Sequence, residues 1–194
     1  MTLQISAILL ASGLSKRMGG TDKLFLSYKG KTLLQHAVDL LDSQSFYEKI
    51  LVTTSERLKY VDRPQQIRII MNHNPEAGQS ESLRLGVEAA TGESYLFFAA
   101  DQPRLAPTDL HLILASARVN KNKIIYPSID GNPSTPTLFP ASFRSDLLNL
   151  TGDVGGRAVR DTYPEACLPV EVECRKDFFD IDSEEDWKKM LAMG

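Results

Sequence analysis

The chain has 194 residues, of which 42% are apolar, enough for one domain with a core on both faces of a sheet and no need for a second. Lys and Arg number 22 against 25 Asp and Glu, a formal net charge of -3, which argues against a general nucleic-acid binder and requires any polyanionic ligand to be drawn by a local patch. The first ten residues lack the basic start of a secretory leader and no apolar run approaches a membrane span, so the expected setting is cytoplasmic, with Cys167 and Cys174 as free thiols.

Residues 5–10 form a run that is apolar apart from Ser6, the pattern of a strand buried on both faces. It breaks into Ala11-Ser12-Gly13-Leu14-Ser15-Lys16-Arg17-Met18-Gly19-Gly20-Thr21-Asp22-Lys23. Small residues there let backbone N–H groups approach an anion closely, and Lys16, Arg17 and Lys23 supply positive charge. The spacing is not that of a Walker A loop, which needs Gly-Lys-Ser/Thr where Gly20-Thr21-Asp22 stands. Nor is it the dinucleotide fingerprint, since Ser15 occupies the second glycine position. A third kind of phosphate loop fits the residues; a plain strand-to-helix connection with solvated lysines is the alternative.

Residues 33–41 carry apolar side chains at helical spacing behind Thr32, a candidate N-cap. Strands are expected at 49–53 and 67–71, joined by a polar, partly helical connection. A turn-rich loop at 72–79 then opens a helix over 80–90, with Leu83, Val87 and Ala90 inward. Two readings stand for its first turn. Ser80 is a candidate N-cap; alternatively Gln79, Ser80 and Ser82 present polar groups to a base or ribose, and Arg84 reaches a phosphate.

Residues 95–100 form the next buried strand and run into Asp101-Gln102-Pro103. A carboxylate at the end of a central strand lies where open α/β sheets bind ligands, which makes Asp101 a candidate metal ligand; a turn-forming Asp before Pro is the alternative. A helix is expected from Pro107, a strand at 124–126, a loop from Gly131-Asn132-Pro133 to 139, and helical spacing at 141–150. Gly152-Asp153-Val154-Gly155-Gly156-Arg157 is a second glycine-rich turn, in which Asp153 and Arg157 could pair. A late strand at 167–172 follows. Asp180-Ile181-Asp182 then precedes a final helix capped by Ser183, whose acidic first turn and basic end suit the helix dipole. Asp180 and Asp182 share one side of an extended segment.

Taken together, Leu10-Ala11-Ser12-Gly13-x-Ser15-x-Arg17-Met18-Gly19 with Lys23, Asp101-Gln102-Pro103, Gly131-Asn132-Pro133, Gly152-Asp153-Val154-Gly155 and Asp180-Ile181-Asp182 resemble the molybdenum cofactor nucleotidyltransferases, and within them the cytidylyltransferase branch. Position 12 departs from the pattern, carrying Ser where the branches usually carry Ala or Gly. The resemblance implies a single Rossmann-like α/β domain, a mostly parallel sheet with helices on both faces, divided into a nucleotide half at about 1–105 and an acceptor half at about 106–194. It implies transfer of CMP from CTP to the terminal phosphate of molybdopterin with release of pyrophosphate, Mg²⁺ as cofactor and a molybdenum hydroxylase as client. In this reading Leu10, Ala11, Ser12, Gly13, Ser15 and Lys23 hold the nucleotide, and Arg17 neutralises the leaving pyrophosphate. Asp101 and Asp182 carry the metal, while Gly131, Asn132, Pro133, Asp153 and Arg157 line the acceptor side. The attacking phosphate is already anionic near neutrality, so the lack of an evident nucleophile–base set agrees with this chemistry. The rivals are a guanylyl or other phosphate-acceptor nucleotidyltransferase, and a nucleotide-binding accessory protein without catalysis.

Overall fold

The computed structural model describes residues 3–14, 22–62, 64–172 and 176–193. In chain order, β1 (Ile5–Ala11) is followed by a 3-10 turn (Lys23–Phe25) and an antiparallel pair, β2 (Ser27–Tyr28) and β3 (Lys31–Thr32). α1 (Leu33–Ser43) starts where Thr32 Oγ1 accepts the Gln35 N–H at 3.1 Å, the N-cap that the sequence offers. β4 (Glu48–Thr53), α2 (Ser55–Leu58), β5 (Ile67–Met71), α3 (Gln79–Ala89) and β6 (Ser94–Ala99) complete the first part. α4 (Pro107–Val119), β7 (Ile124–Ile129), β8 (Asn132–Pro133), β9 (Thr137–Pro140), α5 (Arg144–Leu148), α6 (Arg157–Thr162), β10 (Cys167–Glu171) and α7 (Glu184–Ala192) make up the rest.

The large sheet runs β10-β7-β9-β6-β1-β4-β5, with β8 hydrogen-bonded to β7. β6, β1, β4 and β5 are mutually parallel, as are β7 and β10. Alternation along β1 divides the core. Ala7, Leu9 and Ala11 pack with Leu34 and Val38 of α1 and with Leu110 and Ile113 of α4, whereas Ile8 packs on the other face with Leu83 and Val87 of α3. Gly86 makes that second contact possible, because a Cβ there would stand 2.6 Å from Ile8 Cγ2. The result is the expected α/β layer structure with helices on both faces.

After β5 the chain crosses from one side of β1 to the other to form β6. The carboxyl ends of β1 and β6 therefore flank a topological switch point, where sheets of this kind open a crevice for ligands.

The 131–139 stretch corrects the expected loop. Asp130 and Gly131 both have positive φ, 49° and 78°, and form a two-residue hairpin turn that folds β8 back on β7. β9, buried at all four positions, then inserts antiparallel between β6 and β7. Prolines at 133, 136 and 140 conceal its strand character. Residues 141–150 are likewise less regular than expected, a 3-10 turn (Ala141–Phe143) followed by the short α5. Cys167 is a free thiol, and Cys174 lies outside the described residues. Among the described residues no helix is long and apolar enough to cross a membrane.

Candidate active site

At the crevice, four charged side chains converge. Asp22 Oδ1 accepts the Leu24 N–H at 3.1 Å and so caps the Lys23–Phe25 turn, while the Leu24 side chain is buried in the core beneath. From that turn Lys23 Nζ reaches Asp101 Oδ2 at 2.6 Å, just beyond β6, and Asp182 Oδ1 at 3.0 Å. Asp182 is brought across from the far end of the chain by its buried neighbour. Ile181 packs with Tyr28, Leu33 and Met190, and its N–H donates to the Asp101 carbonyl at 3.1 Å. Asp180 and Asp182 flank Ile181, and both line the same cleft. α7 is held behind them by the Ser183 cap, whose Oγ accepts the Asp186 N–H at 3.2 Å.

Burial works against the Lys23 ammonium, but Asp101 and Asp182 more than offset it and hold the lysine above its ordinary pKa. Asp180 is displaced the other way. Loss of surrounding water, reinforced by the charges of Asp101 and Asp182, pushes its carboxyl up to about 7. Asp180 keeps an exposed face on the cleft. Solvent there screens part of the repulsion.

The cluster suits a hard divalent cation. Asp101 Oδ1 is buried with no hydrogen-bond partner, the adjoining Gln102 Oε1 is in the same condition, and the donors on offer are oxygens. Among the described residues no three carboxylates, histidines or cysteines form a closed cage. An open pair of carboxylates matches an ion such as Mg²⁺ that keeps most of its waters.

The wall of the cleft beside β1 rests on buried polar groups. Ser12 Oγ and Ser82 Oγ share a 2.5 Å hydrogen bond, and Asn72 Nδ2 donates to them at 3.0 and 3.3 Å. All three side chains are buried. Arg57 of α2, equally buried, donates from Nη1 to the Ala11 carbonyl at 2.9 Å and from Nη2 to the Gly13 carbonyl at 2.6 Å. It also forks onto Asp22 at 2.6 and 2.9 Å.

The cleft encloses about 650 Å³. Leu10, Ala11, Gly13, Lys23, Gln79, Ser82, Asp101, Asn132, Pro133, Asp153, Arg157 and Asp182, drawn from across the chain, all line it. Arg17 and Ser15 lie outside the described residues. Ser12 stands behind the wall rather than on it, through its bond to Ser82.

Four expectations need correction. Ser80 is not the N-cap of α3; Gly78 is, and the Ser80 hydroxyl donates to the Gly152 carbonyl at 2.7 Å, tying the helix to the second glycine-rich turn. Gly78 has φ of 97°, and a Cβ on it would meet the Gly152 backbone at 2.5 Å, so the two turns interlock. Arg84 does not extend toward the cleft, because Glu81 and Glu88 of its own helix hold its guanidinium. Asp153 and Arg157 do not pair: Asp153 Oδ1 accepts the Gln79 N–H at 3.3 Å, and Arg157 pairs with Asp161 one helical turn on, at 3.2 Å. Gly131 occupies the exposed hairpin turn and serves the β7–β8 reversal instead of the wall.

Sequence reasoning also missed residues. Arg57 bonds to two backbone carbonyls and to Asp22, all distant in sequence, which leave no spacing signal. Arg160, which lines the cleft and stacks its guanidinium 4.9 Å over the Tyr126 ring, gave none either.

Residues 7–167 match the model of the MobA-like NTP transferase domain. The chain belongs to this family. As a member of the MobA-like NTP transferases it is a nucleotidyltransferase. Its curated relatives include the nicotine blue oxidoreductase of Paenarthrobacter nicotinovorans, 26% identical over 196 residues and 96% of each chain. Another is the molybdenum cofactor guanylyltransferase of Shewanella baltica, 26% identical over 198 residues, covering 100% of this chain and 98% of that one. Among solved structures, the Mycobacterium tuberculosis protein Rv0371c superposes with a TM-score of 0.83 at 22% identity, covering 99% of this chain and 100% of that one. Its complex with manganese gives a TM-score of 0.77 at 20% identity, with 98% and 100% covered. These likenesses support the nucleotidyltransferase fold.

Proposed function

We propose that the protein transfers CMP from CTP to the terminal phosphate of molybdopterin, releasing pyrophosphate and forming molybdopterin cytosine dinucleotide. The observation that carries this reading is the convergence of the β1 loop, Lys23, Asp101 and Asp182 on one cleft whose far wall is Asn132, Pro133, Asp153 and Arg157. The nucleotide is held by the half at about 1–105 and the acceptor by the half at about 106–194. A cytoplasmic setting, and delivery of the product to a molybdenum hydroxylase, belong to the same reading.

Asp101 and Asp182 hold Mg²⁺, a choice supported by the orphaned Asp101 oxygen and by the manganese complex of the mycobacterial protein. Mg²⁺ bound there supplies neutralisation of phosphate charge. Lys23, kept protonated by the two carboxylates, lies where it can follow the negative charge that grows on the leaving pyrophosphate. Arg17 adds a second cation. The acceptor phosphate attacks the α-phosphorus as an anion, so no side chain has to remove a proton. The task of this chain is in-line positioning and charge compensation.

The choice of cytosine rests on the resemblance of the Gly131-Asn132-Pro133 and Gly152-Asp153 motifs to the cytidylyl branch, with Ser12 the departure from that pattern. Transfer from GTP is the second reading, favoured by the guanylyltransferase names of relatives such as the Shewanella baltica enzyme. Incubating the protein with molybdopterin, Mg²⁺ and each nucleoside triphosphate, and identifying the dinucleotide by mass, decides between them. The expected product carries cytosine. A tenfold preference for GTP in kcat/KM, about 1.4 kcal/mol, transfers the assignment to the guanylyl branch.

A further inference from the structure

We infer that Arg57 is a positioning residue for nucleotide binding: from behind the cleft it fixes the spacing between the Ala11–Gly13 backbone and Lys23. The inference rests on the proposed role of the β1 loop as the nucleotide cradle. Arg57 touches no part of the open cleft surface, and so it acts through other groups.

The Arg57 side chain is only 6% exposed, and a guanidinium so buried is costly to desolvate unless its donors are matched. Here four N–H bonds are used, and their distribution is informative. Two go to the Asp22 carboxylate as a fork, one to the Ala11 carbonyl and one to the Gly13 carbonyl. The first pair fixes the residue just before Lys23; the others fix the last residue of β1 and the chain just after it. Asp22 in turn accepts the Leu24 N–H, so the Lys23–Phe25 turn hangs from the same carboxylate. One planar group thus sets the distance between the two sides of the cradle. The registration extends to the sheet, because α2 directly follows β4, which pairs with β1 up to Ala11 opposite Thr53. Thr53 Oγ1 adds a bond to the Ala11 carbonyl at 3.2 Å.

Arg57 and Asp22 neutralise one another, so the clamp adds no net attraction for phosphate. Its contribution is geometric: the Ala11 and Gly13 carbonyls are fixed from behind, and Lys23 starts from a fixed base. Lysine cannot substitute for it, since an ammonium offers a point charge with no planar fork able to reach Asp22 and two carbonyls together.

The test compares wild type, Arg57→Lys and Arg57→Ala, with Asp22→Asn as the reciprocal variant, by titration with CTP and GTP in Mg²⁺, by steady-state kinetics and by thermal melting. Arg57→Lys keeps the charge and much of the volume and is the variant expected to stay folded. Its nucleotide Kd should rise about tenfold or more while the acceptor KM stays within about twofold. Millimolar guanidinium should restore nucleotide binding to Arg57→Ala, and urea at the same concentration should not. If Arg57→Lys melts lower yet binds nucleotide as wild type does, Arg57 is only structural and the inference fails. If wild type binds neither nucleotide, the reading of the loop fails and takes the inference with it.

Discussion

The two walls of the cleft are built on different principles. On the β1 side, Ser12, Arg57, Asn72 and Ser82 are all at most 5% exposed, and each hydrogen-bonds to a partner far away in sequence. On the opposite side, Asn132, Pro133, Asp153 and Arg157 are exposed, and the Arg157 ion pair is local to its own helix. The first wall sits on parallel strands covered by helices on both faces, the second on a hairpin tip and a glycine-rich turn. A triphosphate has one geometry to be held in, and a preorganised wall raises affinity by lowering the ordering cost of binding. An acceptor of larger and more varied shape is met by an exposed wall, tied back to α3 only where Asp153 accepts the Gln79 N–H and the Gly152 turn interlocks with Gly78.

That contrast is broken or sharpened by substitution, beginning at the shared cluster. Asp101→Asn and Asp182→Asn should each lower Mg²⁺-dependent turnover by about a hundredfold or more, with Asp180→Asn milder; turnover at saturating CTP measures it. Lys23→Ala should cost a similar factor, because the Asp101 and Asp182 carboxylates then face one another without the ammonium between them. Near-wild-type turnover in Lys23→Ala would reduce it to a solvated loop lysine.

The Asp180 carboxyl adds a pH signature. Its folded-state pKa is raised, so its contribution to stability is fully present below the unfolded value of about 4 and is lost as the pH rises through about 7. Metal-free wild type should therefore melt progressively lower across that window, and Asp180→Asn should flatten the profile. Melting curves in a chelator measure the difference.

Smaller effects belong to the β1 wall and to α3. Ser12→Gly should raise the nucleotide KM severalfold by removing the hydroxyl that ties Ser82 and Asn72 together behind the cleft wall. Arg84→Ala should leave both substrate KM values within about twofold, since Glu81 and Glu88 already occupy its guanidinium at the surface. A large rise in nucleotide KM there would show that Arg84 leaves its helix to reach a phosphate.

Local chemistry was legible in the sequence wherever cause and effect were close in the chain. Thr32 and Ser183 cap the helices they precede, and β1 is buried along nearly its full length because all its residues but Ser6 are apolar. The candidate site was legible to the extent that strand ends carry ligands, and Asp101 and Asp182 do meet at Lys23. What escaped the sequence depended on distant partners. Ser80 looks like a cap and instead bonds Gly152, 72 residues on. β9 looks like a proline-broken loop until β6 and β7 supply its partners on both sides. Arg57 sits in an unremarkable surface-like stretch, and only the fold shows that its partners are the carbonyls of the strand next door.

A crystal structure of the protein grown with CTP and Mn²⁺, read by anomalous scattering, tests the central claim most directly. The metal peak should be held by the Asp101 and Asp182 carboxylates, with the triphosphate against Lys23 and the Ala11–Gly13 backbone. Metal bound away from both carboxylates, or a triphosphate ordered outside this cleft, would contradict it.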